Sequence, residues 1–326
     1  MSDPIAVHDM PAEAPPSRRG AEFLRQYSLR RIDIVALAVG AVFAVLLAVY
    51  KIPLGAWLKA VVDFLNLHAQ GLFDTISFVL GSIIDGLLVF LEFFPPLLLI
   101  AIVAVGAWFL HRSVALAVAV VVGLLLVMNL GYWQATLETL ALVVCATLVC
   151  VVIGVPVGVA AAHRPWLYTA IRPVLDLMQT IPTFVYLIPT LVLFGLGMVP
   201  GLISTVIFAI AAPIRLTHLG VSSVPKQLLE AGEAFGSTRR QLLWKVELPY
   251  ALPTIMAGIT QCIMLSLSMV VIAALVGADG LGKPVVRALN TVNVSMGFEA
   301  GLAIVVLAIL LDRVCRLPHR SARPAK

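Results

Sequence analysis

The sequence predicts an all-α polytopic membrane protein with about eight transmembrane helices, and three observations carry that prediction. Its 326 residues are 61% hydrophobic and only 12% charged, where a soluble domain carries about 25% charge. Apolar runs long enough, at about 1.5 Å per residue, to cross the hydrocarbon core recur along the chain. Basic residues gather at the ends of these runs, so the net charge of +5 reads as topology and not as a nucleic-acid footprint. The four cysteines, Cys145, Cys150, Cys262 and Cys315, lie in or beside apolar segments without metal-ligand or redox spacing, which points to packing, with no metal site and no disulfide framework.

Residues 1–31 are rich in Pro, Ala and charge and lack the apolar centre of a cleavable signal; a disordered cytoplasmic tail is expected. Arg18, Arg19, Arg25, Arg30 and Arg31 lead into the expected first span at 32–50 and place the N-terminus in the cytoplasm. Residues 51–94 are interrupted by Asp63, His68, Asp74, Asp85 and Glu92, each costly at mid-bilayer depth, and are expected as an external amphipathic segment lying against the membrane. Two scaffold spans follow within 95–130, at 95–110 and 114–130, joined by the basic connector His111, Arg112 and Ser113. A core of five spans is expected within 131–312, at 136–162, 174–197, 202–217, 253–276 and 298–311, with a polar loop at 218–252 and a basic tail at 313–326. Alternation from a cytoplasmic N-terminus puts Arg112, Arg164 with Arg172, the Lys226 to Lys245 loop, and Arg313, Arg316, Arg320 and Arg323 on one face, the cytoplasmic one.

The polar loop is the one place where the late part of the chain leaves the membrane pattern for long. From Pro225, Leu228, Ala231, Gly232 and Phe235 recur at helical spacing, and Gly236 stops the helix. Thr238 and Gln241 have capping-box spacing for a second short helix, with Leu242, Leu243 and Val246 on one stripe, expected to end at Pro249. Two short amphipathic helices about a glycine corner, set between membrane spans, suggest a docking element.

The spans beyond 136 contain Pro156, Pro182, Pro189 and Pro213 and the glycine pair Gly154 and Gly158, which suits closely packed, kinked helices. No Asp, Glu, Lys or Arg falls near the middle of 183–197, 202–214 or 253–276, so the intramembrane charges with which ion-coupled carriers work are missing there. A solute path would be lined by polar uncharged groups: Gln179, Thr180, Thr183 and Tyr186 on one span, Gln261, Ser266, Ser268 and Met269 on another. Such a lining suits a neutral or zwitterionic solute. The stretch 277–284, GADGLGKP, has the G-x-x-x-x-G-K spacing of a phosphate loop, but Pro284 stands where the magnesium-binding hydroxyl belongs and no strand precedes it, so a glycine-rich turn is expected instead. No nucleophile, metal or acid–base grouping supports an enzyme, and the catalytic residue set is empty. The residues themselves leave two transport readings open, a partner-driven permease and a self-contained channel or secondary carrier.

The loop also carries a family signature. Binding-protein-dependent ABC importer permeases show Glu-Ala-Ala, three residues, Gly, nine residues, Ile, one residue, Leu-Pro before a late span; here Glu230, Ala231, Gly232, Gly236, Val246, Leu248 and Pro249 fall at that spacing, with Gly232 for Ala and Val246 for Ile. The stretches 176–197, 248–261 and 265–282 resemble the quaternary-ammonium branch, whose members import glycine betaine, proline betaine, choline or related compounds, and the likeness covers roughly residues 70–313. This resemblance implies a type I importer permease fold in a bacterial inner membrane, with both termini cytoplasmic. It also implies a permease homodimer in the lipid bilayer, a substrate-binding protein, and cytoplasmic ATPase subunits that use ATP and Mg, with no cofactor on this chain. The first loop helix would insert into a groove of the ATPase, with Glu230, Glu233, Arg239 and Arg240 in charged contacts and Leu228, Ala231 and Phe235 on the apolar face.

Overall fold

The computed structural model describes residues 36–40, 42 and 53–316, among which there are helices and turns and no strand. Helix α1 covers Leu54–Glu92 with a non-helical kink at Ala69. Helices α2 (Pro96–His111) and α3 (Val114–Asn129) form a tight pair. Arg112 between them takes a left-handed conformation, and the Ser113 hydroxyl accepts the Leu116 N–H to start α3. Helix α4 (Trp133–His163) is the first long core helix. It is followed by α5 (Pro165–Thr180), a 3₁₀ turn (Thr183–Tyr186), and α6 (Leu187–Phe194). Helices α7 (Met198–Ala209) and α8 (Ala211–Ser222) run on as one span, and α9 (Lys226–Ala234) leaves it. Helix α10 (Arg239–Leu242) passes through a π turn (Leu243–Glu247) into α11 (Leu248–Ala273). Helices α12 (Gly282–Asn290) and α13 (Val294–Cys315) complete the described chain.

Among the described residues, five helices are long and apolar enough to cross a membrane: Gly55–Glu92, Trp133–His163, Met198–Ser222, Arg239–Val276 and Val294–Cys315. The α5–α6 pair adds a broken span bent by 106°, and α2 and α3 are shorter apolar helices. The expected span at 32–50 lies for the most part outside the described residues, and the count of eight is not reproduced as eight separate crossing helices. The expected single span at 174–197 is two helices, because Ile181 precedes Pro182 and is held extended (φ −65, ψ 132), off the helical path. The helix expected to end at Pro249 continues. Pro249 has no N–H to donate, so it falls in the first turn of α11, where that loss is tolerated, and the Leu248 N–H reaches back five residues to the Leu243 carbonyl.

Helix α8 sits at the centre of the core, between α4 and α11. Close approach explains the glycines: a Cβ on Gly158 would stand 2.6 Å from the Thr217 Cβ and 2.7 Å from the Ile214 carbonyl oxygen, and Gly154 faces Pro213. On the other side Gly258 meets Pro213 and Leu216, and Gly220 meets Ala251 and Thr254. This is small-residue packing, which lets membrane helices gain dispersion contact where no hydrophobic drive exists between them. Ala209, Ala211, Ile214, Cys150 and Cys262 are buried in the same cluster, so these two cysteines are packing groups, as expected.

Two hydrogen bonds sort the connectors by end. The His111 ring Nε2 lies 3.0 Å from the Val314 carbonyl, and the His163 Nε2 lies 2.8 Å from Glu247 Oε2. They bring the His111–Arg112 connector to the end of α13, and the end of α4 to the base of the polar loop. Arg316 also shares a groove with Pro253 at the start of α11. The basic clusters at 111–112, 163–164, 226–245 and 313–316 therefore gather at one end of the bundle. At the opposite end Glu92 accepts from Gln134, the Gly197 N–H donates to the Val276 carbonyl, and the Asp279 N–H points at the Met198 sulfur. From Phe73 onward α1 touches this far half: Phe73 packs edge-on to Phe194, Gly81 faces Val199, and the buried Ile84 joins Ala141, Cys145 and Leu202.

Candidate coupling loop and solute-facing surface

Helix α9 follows from its sequence. Pro225 precedes it in an extended conformation, and Lys226–Ala234 contains good helix formers apart from Gly232. Its end is a Schellman motif: Gly236 is left-handed (φ 73), its N–H donates to the Glu233 carbonyl at 2.8 Å, and the Ser237 N–H donates to the Gly232 carbonyl at 3.1 Å. Gly236 is thus the corner the sequence requires. Two residues on, the capping box is complete, with the Gln241 N–H bonded to the Thr238 hydroxyl and the Thr238 N–H to the Gln241 side chain. Caps on both sides of one glycine make the corner stiff.

No residue of α9 is buried. Glu230, Ala231, Glu233, Arg239 and Arg240 are exposed, Leu228 is exposed on the same stripe, and Phe235 is 91% exposed. A bare phenylalanine on a polar two-helix loop is an unfilled contact, since an aromatic ring is otherwise the largest available contribution to burial. The inward side is packed instead: a Cβ on Gly232 would meet the Leu242 methyl at 2.5 Å and Val246 at 3.9 Å. Gly232, one of the two departures from the family pattern, therefore brings α9 close to the base of the loop. Val246 and Leu248 are half-buried and Pro249 is exposed.

The residues expected along a solute path fall into separate settings. Gln179, Thr183 and Tyr186 cluster about the break between α5 and α6, half-buried, with the Tyr186 hydroxyl donating to the Met178 carbonyl at 2.8 Å. Gln261 is exposed in a groove of about 710 Å³ lined by Pro253, Met256, Thr260 and Met264 on one stripe of α11. Ser268 is exposed farther along, its hydroxyl turned back to the Met264 carbonyl. Ser266 and Met269 lie on the opposite face, fully buried, and the Ser266 hydroxyl is spent on the Cys262 carbonyl. The structure brings Gln261 and Ser268 to one surface and keeps Ser266 and Met269 in the packed interior.

Two polar links were not foreseen from the sequence. One is His163 with Glu247, 84 residues apart, for which sequence spacing gives no signal. The other is Arg215 of α8, whose guanidinium lies 2.6 Å from the Asp176 carboxylate on α5. Arg215 directly follows the uncharged stretch 202–214, and Asp176 lies seven residues before the uncharged stretch that begins at 183.

The glycine-rich stretch 277–284 has a structural explanation. Gly277 is left-handed, and a Cβ on Gly280 (φ 124) would be 2.6 Å from the Thr139 hydroxyl, which accepts the Leu281 N–H at 2.8 Å. A Cβ on Gly282 would be 2.3 Å from the Val270 carbonyl oxygen. The turn is wedged between α4 and α11, with its Leu281 amide spent on Thr139.

A helical bundle with spans of membrane length, whose central span runs into a capped, exposed two-helix loop, defines an all-α polytopic membrane protein. Residues 154–323 match the family described as "Binding-protein-dependent transport system inner membrane component". The chain belongs to that family; it is a transport permease subunit of an ABC importer and not an enzyme. Among its relatives, the glycine betaine transport system permease protein OpuAB of Bacillus subtilis is 46% identical over 264 residues, covering 81% of this chain and 93% of the relative. The glycine betaine/proline betaine transport system permease protein ProW of Escherichia coli is 42% identical over 272 residues, 83% of this chain and 77% of the relative. Among solved structures, an inward-facing form of the MetNI methionine ABC transporter aligns with a TM-score of 0.50 at 28% identity, covering 55% of this chain and 92% of that one.

Proposed function

We propose that this chain carries a betaine-type quaternary ammonium solute, such as glycine betaine, proline betaine or choline, inward across a bacterial inner membrane, driven by ATP hydrolysed in partner subunits. The observation that carries the reading is α9: a helix closed at its C-terminal end by the Gly236 corner, with nothing packed on its Leu228–Phe235 stripe. Relatives named for glycine betaine and proline betaine transport support the solute class, and the uncharged polar side chains Gln179, Thr183, Tyr186, Gln261 and Ser268 are compatible with a zwitterion. The basic end of the bundle is the cytoplasmic one by the positive-inside bias, so the loop and the C-terminal end of α13 face the ATPase. Two copies form the path, a binding protein delivers solute to the far end, and ATP with Mg is held by the ATPase chains. Glu230, Glu233, Arg239 and Arg240 make the rim contacts of the docked α9.

The test is uptake of radiolabelled glycine betaine into proteoliposomes holding the chain with its ATPase and binding protein. Uptake that requires both partners and internal or external ATP on the ATPase side is expected. Flux by the purified chain alone would replace this reading with that of a self-contained channel or carrier.

A further inference from the structure

The span formed by α7 and α8 grips the broken span at two places. Toward the far end, the Thr190 hydroxyl of α6 and the Ser204 hydroxyl of α7 are 2.8 Å apart and both buried. Toward the coupling loop, Arg215 of α8 holds Asp176 of α5 at 2.6 Å, and His218 of α8 stacks on Tyr168 of α5 with centroids 3.6 Å apart and planes 3° apart. Ser204 and Arg215 are separated by about 16 Å of helix, at about 1.5 Å of rise per residue. Across the 106° bend, the Tyr186 hydroxyl on the Met178 carbonyl ties the 3₁₀ turn back to α5. Both arms of the broken span are thus strapped to one helix, and that helix leads into α9.

The two grips differ in kind. Thr190–Ser204 is neutral and buried, and each hydroxyl also reaches backbone carbonyls, those of Tyr186 and Leu187 for Thr190 and those of Pro200 and Tyr186 for Ser204, so it belongs to a closed local network that carries no charge. Asp176 and Arg215 are 53% and 32% exposed, so neutralising either one strands no charge in the packed interior. The Arg215 Nε is buried without a partner, so the guanidinium does not use its full set of donors in this arrangement. The ion pair is the grip that a charge substitution removes and a charge exchange can restore.

We propose that Asp176 and Arg215 are positioning residues for coupled transport: their ion pair makes α5, and with it the bend at Ile181–Pro182, follow α8 when α9 is displaced. This rests on the reading of α9 as the contact with the ATPase. The work of the ATPase then reaches the Gln179–Thr183–Tyr186 surface through the side of the bundle, and not only through the ends of the spans.

The test uses the complete transporter in proteoliposomes, with Arg215→Gln, Asp176→Asn and the exchange Asp176→Arg with Arg215→Asp. Each single substitution is expected to lower solute transported per ATP by about tenfold or more while ATP hydrolysis stays within about twofold, and the exchange to recover most of the ratio, the pattern of a directly coupled pair. An unchanged ratio in the single variants, a parallel fall of uptake and hydrolysis, or no recovery in the exchange overturns the proposal. A second measurement needs no solute and no ATPase. With the native cysteines replaced by serine, spin labels at Arg172→Cys on α5 and Leu219→Cys on α8 should give one narrow distance distribution in the otherwise unaltered chain and a broadened one with Arg215→Gln. Equal widths overturn the strap. A wild-type complex that carries no betaine would overturn the proposed function instead and leave the distance result to decide the pair.

Discussion

Replacing Phe235 by Ala separates docking from folding. The ring is 91% exposed in the free chain, so its removal should leave the permease itself within about 0.5 kcal/mol of wild-type stability, the usual range for a surface substitution. Seated in a partner groove, the same ring would contribute about 1.5–3 kcal/mol from burial. At about 1.4 kcal/mol per power of ten, that is a loss of roughly one to two powers of ten in affinity for the ATPase. Titration of the purified ATPase onto the chain in lipid nanodiscs reads the affinity, and thermal unfolding of the same nanodiscs reads the fold. An affinity within about twofold of wild type would refute the assignment of this face, because a central aromatic anchor is where an interface concentrates its energy. A lowered unfolding temperature would refute the other half of the reasoning, that the ring has no partner within its own chain.

Three further outcomes follow from the geometry. Gly158→Val should lower thermal stability by about 1–3 kcal/mol or more, since even a Cβ meets the Ile214 carbonyl at 2.7 Å and backbone must shift; a wild-type melting temperature would contradict this. His163→Ala should cost more than Glu247→Ala, because the first leaves a carboxylate with 8% of its side chain exposed and unpaired while the second leaves a half-exposed imidazole that water can serve; the penalty is about 1–3 kcal/mol for the orphaned group, read by thermal unfolding of both variants. Val292→Gly should stabilise by about 1 kcal/mol, because Val292 is exposed and left-handed (φ 52) at the end of α12, where a β-branched residue is strained and glycine is not; an unchanged or lower unfolding midpoint would count against it.

What could be foreseen along the chain was what short-range rules govern. The left-handed Gly236 and the Thr238–Gln241 box depend only on a few neighbouring residues, and both stand as the spacing required. The helical core after residue 133 was legible because apolar periodicity survives any tertiary arrangement. Pro249 misled because a proline can end a helix or open one, and the choice fell to a π turn that no residue type announces. Pro182 carried the signal for the break after Ile181, but the 106° angle depends on which neighbours hold the two arms. The partners of Glu247 and Asp176 lie 84 and 39 positions away and follow from packing alone. Exposure misled in another way: the polar residues of α11 have similar chemistry, and only the register of the helix decides that Gln261 faces a groove and Ser266 does not.

The wedged turn at 277–284 bears on how sequence patterns arise. Gly277 is required by its left-handed backbone, Gly280 by the approach of the Thr139 hydroxyl and Gly282 by that of the Val270 carbonyl. The interval from Gly277 to Gly282, followed by Lys283, is the one a phosphate loop shows, and here each end of it is required by the fold of the turn. A glycine pattern is an imprint, and the object that left it can be a neighbouring helix as readily as a ligand. Screens that read nucleotide sites from glycine intervals will therefore collect tight membrane turns of this kind, and the residue that follows the pattern, here Pro284, tells the two apart.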